Sequence, residues 1–214
     1  KLGGQKIIVR FAKKGEKITT LDEEKYELDK NILVIADAEN PVALAGIKGG
    51  KGPEIGQTTK MIVLESANFN PKIIRRGSKL IDLKPDASWR FEHGIDPNLT
   101  ELAINQAAFL IQKIAGGKVV RGLADFYPKR VLAKKIELNL NYLEKLLGIK
   151  IPVPKTKNIL KKLGFQISER GARLIVAAPT FRLDISLAED LVEEIGRIFG
   201  YEKIPAVFPR AVLI

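Results

Sequence analysis

An α+β fold in two parts is what this sequence predicts. Three observations carry that reading: short alternating strand patterns before residue 47, punctuated amphipathic helices after residue 96, and an abrupt change of charge at residue 128. Residues 1–127 form the first part, with a mixed or antiparallel sheet. Residues 128–209 form a smaller α+β part, and 210–214 begin whatever follows it. At 214 residues the chain is long enough to bury two cores. Its 45% hydrophobic and 29% charged composition is that of a globular domain, and no apolar run reaches the roughly 18 residues of a membrane span. The lack of cysteine excludes disulfides and thiolate metal sites, and a cytoplasmic location is expected. The chain opens on Lys1 and its single methionine is Met61, so it reads as a piece of a longer polypeptide.

From Lys6 to Ala36 the segments IIVRFA, KITTL, KYEL and ILVIAD are separated by Lys-Lys-Gly, Asp-Glu-Glu and Asp-Lys-Asn turns, an antiparallel beginning that Val42 to Ile47 continues. Gly46, Gly49, Gly50 and Gly52 then make a flexible loop. Its GIKGGKG is not a nucleotide cradle, because Lys51 is followed by Gly52 and not by Ser or Thr. Met61 to Leu64 reads as a buried strand that delivers the carboxylate of Glu65 beside a Ser66-Ala67-Asn68 turn. Arg75, Arg76 and Lys79 read as a basic loop. Asp96-Pro97 caps a helix running to about Ala115, with Leu99, Ala103, Ala107, Leu110, Ile111 and Ile114 as its core stripe and Gly116-Gly117 as its stop. His93, the only histidine, has no second ligand type near it and reads as a surface residue.

Residues 128–178 hold 12 Lys and Arg against 3 acids, a block that suggests either a polyanion nearby or a solvated surface. Within it Lys134 to Leu138 is a strand, Asn139 caps a helix ended by Gly148, Pro154 opens a second helix ended by Gly164, and a hairpin turns at 169–172. Two helices, a hairpin and a closing helix is a winged-helix-like order. Lys155, Lys157, Lys161 and Lys162 are its candidate nucleic-acid contacts, without interleaved aromatics for base stacking. The closing helix begins near Leu187 behind a capping box of Ser186 and Glu189. Leu187, Leu191, Ile195 and Ile198 form its apolar stripe, and Asp190, Glu193, Glu194 and Arg197 its polar side. Like charges at these spacings oppose the helix by about 0.2–0.5 kcal/mol per pair. Either a hard divalent cation, with Asp184 adding a further oxygen, or simple solvation of an acidic face would relieve this.

Four segments in order, ALAGIKGG, LESANFNP, PDASWRFEHGIDP and RLDISLAEDLVEEIGRIFGYEKIP, resemble the beta subunit of bacterial phenylalanine tRNA ligases. The resemblance spans nearly the whole chain. It implies that residues 1–127 are the later part of a tRNA-editing domain and 128–209 the winged-helix-like domain after it. The family joins phenylalanine to tRNA(Phe) with ATP at an active site on the alpha subunit, in an assembly of two alpha and two beta subunits. Its beta editing domain hydrolyses tyrosine wrongly attached to that tRNA. By the same resemblance Glu65 recognises the tyrosine hydroxyl, Gly49 walls the pocket and Ala87 leaves room for the ring. A hydroxyl is a strong handle because phenylalanine would leave its buried partner unpaired. Pro85 stands where the family usually has Thr, and the family's pocket histidine and arginine come from sequence before Lys1, so no deacylase activity is expected of this chain alone. Asp184, Asp190, Glu193 and Glu194 resemble the family's beta-subunit Mg2+ ligands, at a site shared with the alpha subunit.

Two other readings remain from the residues alone. One is a free nucleic-acid-binding module with 128–178 as the reader, which would bind many sequences and lose affinity steeply with salt. The other is a purely structural winged-helix-like scaffold whose lysines are only solvated.

Overall fold

A computed structural model of the chain describes residues 2–206; the expected start of a further domain at 210–214 lies outside them. The chain divides into two compact units, Lys1–Asp125 and Phe126–Ile214. Both are α+β with antiparallel sheets.

The first unit opens with strands β1 (Ile8–Phe11), β2 (Glu16–Thr19), β3 (Lys25–Leu28), β4 (Leu33–Ala36), β5 (Pro41–Leu44) and the short β6 (Lys48–Gly49). Strands β1, β4, β5 and β6 make one sheet in that order, with Val9 opposite Ile35 and Val34 opposite Leu44. The pair β2–β3 is a separate hairpin. Its far end is tied to the glycine-rich stretch: Leu21 N donates to Gly49 O at 3.1 Å and Lys51 N to Thr19 O at 2.9 Å. That stretch is therefore held in register and is not the loose loop expected. Ile18, Leu28, Ile32, Val34, Leu44 and Ile47 pack with Ile74 into the core, each such burial stabilising by about 1.5–3 kcal/mol.

Three helices follow: α1 (Pro71–Leu80), α2 (Asp86–Glu92) and α3 (Leu99–Ala115). Three expectations fail in this region. The supposed basic loop is helix α1, capped by Asn70, whose side chain accepts from Lys72 N at 3.0 Å and Ile73 N at 3.4 Å. The supposed strand at 61–64 pairs with nothing, and Met61 is 81% exposed. An apolar run makes a strand only where an edge is available to pair with it. Helix α3 forms where expected but buries no residue, and Ile114 is 81% exposed. Helical spacing fixes a stripe, not the partner that covers it. His93 is exposed as expected, its Nδ1 lying 2.6 Å from Trp89 O.

The second unit runs β7 (Lys135–Asn139), α4 (Leu140–Leu147), α5 (Val153–Lys162), β8 (Gln166–Arg170), β9 (Arg173–Ala177) and α6 (Ala188–Phe199). Its elements come in the order that the sequence predicts. Asn139 caps α4 by accepting from Asn141 N at 2.9 Å, and Gly148 ends it at φ 71°, a left-handed conformation that glycine adopts without penalty. The antiparallel sheet has β9 in the middle, between β7 and β8. Leu138, Leu143, Leu160, Leu174, Val176, Leu191 and Ile195 fill the core between sheet and helices.

Candidate functional sites

The first site is a hollow of about 430 Å³ in the first unit, within the size range of small-molecule sites. Its floor is apolar: Ile35, Leu44 and Ile47 come from β4, β5 and the turn after β5, and Phe69 and Phe91 meet edge-on there, 5.2 Å between ring centres. Gly46, at φ 66°, makes the turn under this floor; a Cβ on it would stand 2.9 Å from Phe69 and 3.1 Å from Ile74 and Phe91. Gly49, Glu65, Ser66 and Ala87 also line the hollow.

Three of the four pocket residues expected from the sequence thus converge. Gly49 is fixed by the hairpin: its carbonyl accepts from Leu21, and a Cβ there would press on Leu21 Cδ1 at 3.1 Å. Beside it Lys48 pairs with Asp22, which also takes the hydroxyl of the fully buried Thr20. Ala87 lies in the first turn of α2. Pro85 does not line the hollow. It is the residue before α2, and its carbonyl accepts from Trp89 N at 3.1 Å and Ser88 Oγ at 2.9 Å, so it sets the entry of the helix that carries Ala87.

Glu65 reaches the hollow from the irregular segment, not from a strand end. The residue as a whole is open to solvent, yet enough protein surrounds its carboxyl for burial to push it above the ordinary carboxylate range. No hydrogen bond or ion pair engages its side chain among the described residues. An apolar floor with one uncommitted carboxyl group suits an aromatic ring carrying a polar substituent. Sequence reasoning missed Gly46, Ser66, Phe69 and Phe91. Their signal was present: Ser66 and Phe69 follow Glu65 by one and four residues in LESANFNP, and Phe91 lies one helical turn beyond Ala87.

The second site is the acidic helix. Its cap differs from the one expected: Asp190, not Glu189, reaches back, accepting from Ser186 N at 2.7 Å and Leu187 N at 2.8 Å. Those two amides hold its carboxyl below the usual range. Glu189 accepts instead from the hydroxyl of Tyr142 at 2.6 Å. Glu194 belongs to the buried side, only 8% exposed, while Leu187 and Ile198 of the expected stripe are exposed. Arg182 donates to both oxygens of Asp184, through Nε at 2.9 Å and Nη2 at 2.6 Å. The same Nη2 stands 3.2 Å from Glu194 Oε1, and Arg197 donates to Glu194 Oε2 at 2.6 Å. Arg182 holds the Asp184 carboxyl below its ordinary value; burial pushes Glu194 up, but the two guanidiniums more than offset that.

Asp184, Asp190, Glu193 and Glu194 as they stand do not fit a magnesium ion. Three of them already have donors, Glu193 is exposed, and no group of three or more His, Cys, Asp or Glu side chains among the described residues is placed to hold a metal. The lysine set is also partly committed. Lys157 pairs with Glu169, and Lys155 lies 4.6 Å from the centre of the Phe199 ring. Lys161 and Lys162 are exposed in the last turn of α5, where cations favour the helix dipole.

The two units coincide with two family models: the chain belongs to the B3/4 domain family, whose model matches residues 1–116, and the tRNA synthetase B5 domain model matches residues 136–201. Its relatives are phenylalanine–tRNA ligase beta subunits. It is 43% identical to that of Clostridium acetobutylicum over 201 residues, and 44% identical to that of Thermotoga maritima over 204. These alignments cover 94% and 95% of this chain but 25% and 26% of the relatives, so the chain spans about a quarter of the subunits it matches. No described helix is long and apolar enough to cross a membrane.

Proposed function

We propose that the first unit supplies the amino-acid-selecting wall of an editing site that clears tyrosine from mischarged tRNA(Phe). The observation that supports it is the meeting of Gly49, Glu65 and Ala87 at one hollow with an apolar floor. A tyrosyl ring lies against Phe69 and Phe91, the absence of a side chain at Gly49 and the small one at Ala87 leave it room, and the Glu65 carboxyl takes the phenol hydroxyl. Phenylalanine fits the same space but leaves Glu65 without that bond. These residues bind and orient the ester; the activation of water falls to groups outside this set, since His93 is exposed and outside the hollow.

The whole enzyme, in this reading, charges tRNA(Phe) with phenylalanine at the expense of ATP and magnesium. Synthesis takes place on an alpha subunit that pairs with this beta chain in a four-chain cytoplasmic assembly. No step is routed through a magnesium ion on Asp184, Asp190, Glu193 and Glu194.

The test uses the complete beta subunit with its alpha partner. A charge-assisted hydrogen bond contributes about 1.5–3 kcal/mol, so Glu65→Gln lowers the preference for hydrolysing tyrosyl over phenylalanyl esters about 10- to 100-fold. Ala87→Trp fills the hollow and stops clearance while leaving phenylalanine charging unchanged. Undiminished tyrosine clearance in both variants refutes the assignment.

A further inference from the structure

We infer that Arg182 is the built-in cation of the acidic face, and that the second unit holds this face together without a metal ion. Glu194 is the residue that demands a counter-charge, because a carboxylate this far from water is costly unless paired. Both its oxygens are met by guanidiniums, Oε1 by Arg182 and Oε2 by Arg197. Arg182 is anchored by more than charge. Its fork grips Asp184, two residues away, and its central carbon lies 5.7 Å from the centre of the Phe165 ring on the core side. The side chain of Arg182 is only 20% exposed. Two positive and two negative groups therefore neutralise one another, and Asp190 is separately occupied by its own helix terminus.

A magnesium ion requires near-octahedral oxygen at about 2.0–2.1 Å. To obtain it from this set, the ion must expel Arg182 from Asp184 and Glu194 and draw Asp190 off the Ser186 and Leu187 amides. A guanidinium cannot yield by losing its proton, so the competition is between two cations for the same oxygens. The inference is independent of whether the hollow of the first unit edits anything.

The experiment is two-dimensional NMR and thermal unfolding of this chain, with manganese as a paramagnetic probe and magnesium or EDTA as the stabilising or stripping agent. The expected result has three parts. Low-millimolar manganese leaves the amide signals of Asp184, Asp190, Glu193 and Glu194 no more broadened than those of exposed acids elsewhere in the chain. The Arg182 Nε–H signal does not shift with magnesium. The unfolding temperature is the same in magnesium and in EDTA. Arg182→Gln lowers the unfolding temperature by several degrees and makes it magnesium-dependent; Arg182→Lys, a charge without the fork, falls between. Selective broadening of those four residues in the unsubstituted chain, or an EDTA-induced loss of stability, overturns the inference without reference to any variant.

Discussion

Gly46 offers the sharpest test of how the hollow is built. Replacing it with alanine does two things at once. The left-handed conformation at φ 66° costs an L-residue about 1–2 kcal/mol, and the new methyl meets Phe69 at 2.9 Å with Ile74 and Phe91 at 3.1 Å. Of these, Ile74 is 1% exposed and Phe69 8%, so neither has open space to retreat into; forced shifts in such packing cost about 1–3 kcal/mol. The two contributions together place Gly46→Ala at about 2–5 kcal/mol, a large part of the 5–15 kcal/mol typical of a domain. Urea unfolding followed by the fluorescence of Trp89 measures it, since Trp89 is the only tryptophan and belongs to the same unit. Gly52→Ala is the control: nothing lies within 4 Å of its would-be Cβ, and it should stay within about 0.5 kcal/mol of the parent. A Gly46→Ala cost below about 1 kcal/mol would mean that the floor is looser than these contacts imply.

The remaining predictions concern charge and capping. Glu65 has a folded pKa above its unfolded one, so its burial costs nothing in acid and a penalty develops as pH rises from the ordinary carboxylate value through the raised one; Glu65→Gln should therefore stabilise the first unit at neutral pH and leave it unchanged in acid. Asp184, Asp190 and Glu194 have depressed folded values, so their contribution is complete above the ordinary carboxylate range and is lost as pH falls through the lower folded values. Asp190→Asn should flatten that acid-side loss in thermal melts recorded against pH. Asn139→Ala removes the cap of α4 and should lower stability by about 1 kcal/mol in urea unfolding of the second unit followed by circular dichroism.

What the sequence made legible follows from where its signals are local. Strands β1 to β4 stand out because turn residues bracket each short run, and α4 because Asn139 and Gly148 mark both its ends. Helix α1 carries in Asn70-Pro71 the same kind of start signal as Asp96-Pro97, but its Arg75, Arg76 and Lys79 suit a solvated loop equally well. The apolar run at Met61 misled because composition cannot say whether a sheet edge is free to receive it. The cap of α6 shifted by one residue, from Glu189 to Asp190, since two adjacent acids both satisfy the spacing within its tolerance. In the hollow, the family resemblance singled out Gly49, Glu65 and Ala87; Phe69 and Phe91 lie close to two of these in the chain, but that they meet each other as the floor is a contact across 22 residues that spacing alone does not give. Arg182 was invisible as a partner for Glu194 because twelve residues and the start of a helix separate them in the chain.

The division at Asp125 has a practical side. Residues 117–134 contain no regular element and are exposed almost throughout, while each buried cluster draws its side chains from one unit only. A tryptic cut after Lys118 or Arg121 would leave both buried clusters intact. Each half should therefore survive digestion as a separately refolding piece, a natural seam for recombining either module with other polypeptides.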